Sequence, residues 1–283
     1  MTFTIYKPLE CRPDSYQGWF HQANRQRERQ NYREALASYE RALEYYPQGY
    51  WVWHKRGMTL EALGEFDDAI TSYGIACQIE PENYWARFDQ GLVFLWDLQD
   101  YPQAIACFEK ILTIFGQDYW ASFRLGEAYR LMGNTDSAVA AYQKAIAIRP
   151  KDYWSWYRQG DALREARRLN EALRCYEQAL RSNPDDYWAW VQISDCLRNL
   201  RYYSDAINSY QQILRNYPKD EEIWYSLACC HIQNNAIADA LNCLEEAVYL
   251  DGRLYEAQIW PNPDFQRIRS HPRFVQLSVL ALY

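Results

Sequence analysis

Asp152-Tyr153-Trp154-Ser155-Trp156-Tyr157-Arg158-Gln159-Gly160 is the stretch from which the rest of the chain can be read. Its opening returns as Asp186-Tyr187-Trp188-Ala189-Trp190, and the pair Tyr-Trp also stands at Tyr50-Trp51, Tyr84-Trp85 and Tyr119-Trp120. These tyrosines follow one another at intervals of 34, 35, 34 and 34 residues, a beat that composition alone does not produce. Self-similarity at such a period marks a tandem array, whose units bury their apolar faces against one another.

Each unit divides into two helical patterns. With Tyr153 as position one, Trp156, Gln159, Gly160 and Leu163 fall at positions four, seven, eight and eleven. That spacing is one face of a helix with ~3.6 residues per turn. After the polar stretch 165–170, Ala172, Tyr176 and Ala179 make a second apolar face. Pro184 ends it, because proline has no amide to donate and its ring clashes with the preceding turn. Asp186 then stands where a helix N-cap belongs, as do Asn83, Asp118, Asp152 and Asp220.

The same grid predicts units at 16–49, 50–83, 84–118, 119–152, 153–186, 187–220 and 221–254. The third has one residue more than the others, expected in the turn between Trp96 and Tyr101. Residues 1–15, with Pro8 and Pro13, read as an extended lead-in. Residues 255–283 leave the pattern. Pro263 and Pro272 suit the first turns of short helices, and Phe274, Leu277, Leu280 and Leu282 would cover the open edge of the last unit.

The pattern resembles the tetratricopeptide repeat, a helix-turn-helix unit of about 34 residues with Trp, Leu-Gly and Tyr, then Ala, an aromatic, Ala and Pro at fixed offsets. The departures are modest. Leu-Gly is intact only at Leu125-Gly126, the glycine becomes Ser194 and Ala228 late in the array, and Arg87 and Ser122 replace the position-four tryptophan. The resemblance implies an all-α right-handed solenoid of seven units with a C-terminal cap. It also implies an adaptor without catalysis, whose first helices line a groove for a protein segment.

Composition narrows the alternatives. Hydrophobic residues make up 49% of the 283-residue chain and charged ones 24%, so the chain can fold. A net charge of −7 argues against a non-specific nucleic-acid binder. No apolar run is long enough to span a membrane, and the start lacks the features of a signal peptide, so the expected location is cytoplasmic. Most of the eight cysteines sit where helical patterns want small apolar residues, and no CxxC pair occurs. Reduced, packed thiols are expected. His21, His54, His231 and His271 are scattered, with no ligand or nucleophile spacing among them. Neither catalysis nor a metal or cofactor is expected.

Position two is Trp in five consecutive units: Trp51, Trp85, Trp120, Trp154 and Trp188. At ~100° per residue, positions two, five, nine and twelve turn away from the face of positions four, seven, eight and eleven. In the resembled family that stripe lines the groove. The predicted site is therefore Trp51, Trp85, Phe88, Leu92, Trp120, Phe123, Arg130, Trp154, Tyr157, Arg164, Trp188 and Arg198. Trp85, Phe88 and Leu92, with Leu95 and Trp96, suggest a hydrophobic socket, and Arg130, Arg164 and Arg198 could hold carboxylates. Rings repeated in register also suit packing between units, and both readings stand at this point. The expected partner is another protein offering an extended or helical segment, with self-association open. Single-stranded RNA stacked on the tryptophans and a structural place in a larger assembly are the alternatives.

Overall fold

The computed structural model describes residues 14–281, and among these it is all-α, with no strand. Seven helical hairpins follow in order. α1 (Tyr16–Glu28) pairs with α2 (Tyr32–Tyr45), α3 (Tyr50–Ala62) with α4 (Phe66–Ile79), and α5 (Tyr84–Leu92) with α6 (Tyr101–Phe115). α7 (Tyr119–Leu131) pairs with α8 (Thr135–Ile148), and α9 (Tyr153–Glu165) with α10 (Leu169–Ser182). α11 (Tyr187–Asn199) pairs with α12 (Tyr203–Asn216), and α13 (Glu221–Gln233) with α14 (Ile237–Leu250). The chain forms two compact units, residues 1–148 and 149–283, so the described helices α1 to α8 lie in the first and the rest in the second.

Local chemistry sets the boundaries. Asp118, Asp152, Asp186 and Asp220 each accept a hydrogen bond from the amide three residues on, at 2.7, 2.7, 2.8 and 3.1 Å. This satisfies one of the donors that a helix start leaves open. Each hairpin turns on one residue of left-handed backbone: Gln30, Gly64, Gln99, Gly133, Arg167, Arg201 and Asn235. Only Gly64 and Gly133 are the residue type that adopts this conformation without strain.

Most hairpins build their core on a second-helix ring. Tyr39, Tyr73, Tyr142, Tyr176 and Tyr210 have no exposure, and each hydroxyl finds an acceptor on its own first helix. Tyr39 donates to Asn24 at 2.7 Å, Tyr73 to Glu61 at 2.8 Å, Tyr176 to Asp161 at 2.9 Å and Tyr210 to Asp195 at 2.7 Å, while Tyr142 donates to Glu127. In the third hairpin the hydroxyl and its acceptor are lost together: Phe108 takes the tyrosine's place and Leu92 the acid's. At these ring positions the buried hydroxyl is thus paired or absent, as its desolvation cost requires. Glycine at position eight permits the approach, since a Cβ on Gly160 would stand 2.7 Å from the Tyr176 ring.

Successive hairpins are tied by a second series. Tyr50, Tyr84, Tyr153 and Tyr187 donate to the N-cap residue of the next hairpin, Asn83, Asp118, Asp186 and Asp220, at 2.7, 3.2, 2.7 and 2.7 Å. The cap that starts one helix therefore also receives the preceding hairpin.

The extra residue of the third hairpin is not in the turn, where the sequence placed it. It lies in a π-helical stretch, Val93–Asp97, that continues α5. The turn keeps its left-handed residue, Gln99, while its closing bond lengthens by one residue, from Asp100 N–H to the Phe94 carbonyl at 2.8 Å. Leu95, expected in a socket, is consequently buried in the hairpin core at 1% exposure.

Beyond α14, a π-helical turn (Tyr255–Ile259) and a 3₁₀ turn (Pro263–Ile268) lead into α15 (Pro272–Leu280). Phe265, Phe274 and Leu277 seal the apolar side of α13 and α14, and Leu280 packs partly against the same cluster. Leu282 and the lead-in prolines Pro8 and Pro13 lie outside the described residues. The seven described cysteines are all free and buried. No described helix is long and apolar enough to cross a membrane.

Candidate functional site

The five position-two tryptophans are exposed: Trp51 44%, Trp85 55%, Trp120 47%, Trp154 55% and Trp188 63%. Each stands edge-on to the position-one tyrosine beside it, with ring centroids 4.9 to 5.3 Å apart. The tyrosine is anchored by its hydroxyl or by burial, so the indole is held in place while presenting a large part of its surface. The position-four tryptophans are placed differently. Trp53, Trp156, Trp190 and Trp224 donate their indole N–H to a proline carbonyl six residues back, at 2.8 to 2.9 Å, and are half-buried. One tryptophan series pins the chain between hairpins; the other faces solvent.

Burial corrects the rest of the predicted stripe. Phe123 and Tyr157, expected on an open face, are inside at 7% and 9% exposure. They meet Tyr142 and Tyr176 of their own second helices at ring distances of 5.8 and 5.5 Å. A first helix is covered by its partner helix and by adjacent hairpins, so positions five and nine turn inward and position two stays open. Leu92 is half-buried in the hairpin core. The arginines are engaged at home. Arg130 pairs with buried Glu127 at 3.6 Å, and Arg198 with Asp195 at 3.1 Å. Arg164 lies 3.9 Å from Asp161 and donates to the Tyr176 hydroxyl at 3.3 Å. Glu127 and Asp161 are buried, and a buried carboxylate needs such a partner.

Phe88 stays half-exposed and opens a recess of about 560 Å³ lined by Tyr84, Trp85, Phe88, Asp118, Trp120 and Arg124. The comparable place one hairpin earlier is closed. His54 is 4% exposed, and its Nε2 reaches Asp89 of α5 at 2.7 Å. Phenylalanine at that position cannot make such a bond, so nothing draws α7's Arg124 across. Burial foremost, and then Asp118, push the Tyr84 hydroxyl above its ordinary pKa and keep it a neutral donor.

Tyr84, Asp118 and Arg124 were absent from the stripe read in the sequence. Arg124 stands at position six, between the two faces assigned by helical periodicity. Its guanidinium carbon lies 5.5 Å from the Phe123 ring centroid and 5.9 Å from that of Trp96. Counted back from the turn residue, Trp96 occupies the place of Arg130, Arg164 and Arg198, three before Gly133, Arg167 and Arg201. The extra residue brought it there, and π-bulges of this kind recur at functional sites. Among the described residues no group of His, Cys, Asp and Glu is arranged to hold a metal ion.

Tetratricopeptide repeat models match residues 20–84 and 54–119, 89–151, 154–186 and 202–255. Among curated proteins none matches the chain significantly. Among solved structures, the C-terminal part of a repeat-containing protein from Cytophaga hutchinsonii is similar at TM-score 0.70 and 16% identity, over 82% of this chain and 95% of that one. A tetratricopeptide repeat protein from Parabacteroides merdae is similar at TM-score 0.61 and 13% identity, over 96% and 100%. A third, YrrB, described as having an unusual peptide-binding site, is similar at TM-score 0.54 and 18% identity, over 63% and 91%. At these identities the likeness is one of fold. With repeat models matching most of the length and two inter-hairpin bond series recurring at the repeat period, the chain belongs to the tetratricopeptide repeat family.

Proposed function

We propose that this protein is a non-catalytic interaction scaffold that holds a segment of another protein against its position-two tryptophans. The observation that carries the reading is their exposure: five indoles, each between 44% and 63% exposed, repeat on a framework whose packing uses a different tryptophan series. Exposed apolar surface is a mark of interaction sites, and Trp, Tyr and Arg dominate binding energy where they are found. Packing fixes the indoles beforehand, so the ordering cost of binding falls on the incoming segment. YrrB, of the same fold, is described as binding peptide, which supports the reading by analogy. Within the first compact unit the recess between Trp85 and Trp120 offers a place for a side chain.

The test is Trp85→Ala together with Trp120→Ala in the full chain. Removing two half-exposed rings is expected to leave helicity and the melting temperature within about 2 °C while abolishing peptide capture. Equal loss of stability and binding would assign these rings to packing. Capture of a homopolymer RNA, weakening steeply between 50 and 200 mM salt (roughly the range over which phosphate contacts are lost), would favour nucleic acid instead.

A further inference from the structure

We propose that the recess between α5 and α7 selects a segment in which a large apolar side chain is followed or preceded by a carboxylate, with Arg124 as the specificity-determining residue. The inference rests on the scaffold reading above and names the chemistry of what is held.

The walls, Trp85 and Trp120, and the floor, Tyr84 and Phe88, take an apolar group. Two charged residues complete the lining. Asp118 is already provided for: its Oδ1 accepts from the Ala121 amide at 2.7 Å and from the Tyr84 hydroxyl at 3.2 Å, and it sits at the N-terminus of α7, where the helix dipole favours negative charge. Arg124 is not. No hydrogen bond or ion pair to it is seen among the described residues, and its Nε is buried without a partner. Its counterpart Arg158, at the same position of α9, is neutralised by Asp161 at 3.1 Å. Glu127 cannot serve Arg124 in that way, because Arg130 and Tyr142 hold it inside.

The guanidinium of Arg124 lies over the Phe123 and Trp96 rings, within cation–π range of both. With Nε enclosed, the two terminal nitrogens remain to donate in parallel to one carboxylate. The chain's net charge of −7 does not oppose this. At physiological salt, charges farther than about 8 Å are largely screened, and the acid that shares the recess, Asp118, has its Oδ1 engaged by the Ala121 amide and the Tyr84 hydroxyl.

The experiment displays a library of random twelve-residue peptides to four forms of the full chain: native, Arg124→Gln, Arg124→Glu, and Trp85→Ala with Trp120→Ala. Native protein is expected to enrich peptides carrying Trp, Phe, Leu or Met within two residues of Asp or Glu. Arg124→Glu is expected to exchange that acid for Lys or Arg, and Arg124→Gln to lose the charge preference. For one enriched peptide, replacing its acid by the amide weakens binding roughly tenfold or more. The same replacement changes nothing further in Arg124→Gln. Peptides that need Trp85 and Trp120 but have the same composition on all Arg124 forms would overturn this inference and leave the scaffold standing. A library from which no peptide depends on the tryptophans would overturn both.

Discussion

Asp186 carries two interactions on one oxygen, and removing them separately is a test of how the array coheres. Its Oδ1 accepts from the Ala189 amide at 2.8 Å, capping α11, and from the Tyr153 hydroxyl of the preceding hairpin at 2.7 Å. Asp186→Ala loses the cap, at about 1 kcal/mol. It also leaves the tyrosine hydroxyl without its acceptor, at about another 1 kcal/mol. Asp186→Asn keeps an acceptor of the same reach and should cost a few tenths of a kcal/mol. Asn83 already does both jobs in this chain, accepting from the Trp85 amide at 3.3 Å and from Tyr50 at 2.7 Å. The assay is native-state hydrogen exchange in the full chain, which reads local opening of α11 directly. A loss of about 2 kcal/mol lowers protection of the Ala189 amide and its neighbours about thirtyfold. Tyr153→Phe alone should lower it about fivefold, and adding it to Asp186→Ala should cost nearly nothing more, since the bond is already gone. Strict additivity of the two would show that the bond between hairpins contributes nothing. An Asp186→Asn variant as damaged as Asp186→Ala would show that charge, and not acceptor geometry, holds the junction.

Other outcomes follow from the same packing. Gly57→Ala and Gly74→Ala should have opposite signs. A Cβ at Gly57 would lie 2.6 Å from the enclosed Tyr73 ring, whereas at Gly74 the nearest atom is the Gln90 amide nitrogen at 3.6 Å. The first should therefore lose about 1–3 kcal/mol by overpacking, and the second should gain up to about 1 kcal/mol from helix propensity, read as melting temperatures moving in opposite directions. Burial pushes Tyr39, Tyr50 and Tyr157 up to about 12, and Cys107, Cys175, Cys230 and Cys243 likewise to about 12. The folded state favours the neutral forms, so this stability is fully present below the unfolded values, about 8.5 for thiols and about 10 for phenols. It is lost as pH rises from there toward 12. Melting temperature should be level from pH 7 to 8 and fall steadily above 9, and phenolate absorbance should lag behind that of the denatured chain. Phenols that all titrate at the ordinary value in folded protein would refute the burial.

The third hairpin shows where reading the chain stops being enough. Its extra residue is plain from the interval between Tyr84 and Tyr119, yet a count cannot say where a helix absorbs it. The backbone put it in a π turn because the left-handed turn residue and the buried ring below it have fixed places, while the last helical turn can widen. For the same reason Leu95 went inward and Trp96 outward. Arg124 was missed because a two-sided helix wheel has no place for position six, and only the absence of a partner makes that arginine stand out.

What the sequence determined by itself is what local chemistry and repetition encode: the helices, their caps, the turn positions, the family, and two distinct tryptophan series. These follow from period, proline, cap residues and spacing, none of which needs a distant neighbour. The tertiary structure alone decided which rings of the inner stripe see solvent, that Phe123 and Tyr157 are packed and the arginines held by their own acids, and that one recess stays open beside Phe88. Exposure depends on how many neighbours cover a helix and on what each polar group finds across the gap, and both are settled only when hairpin packs on hairpin.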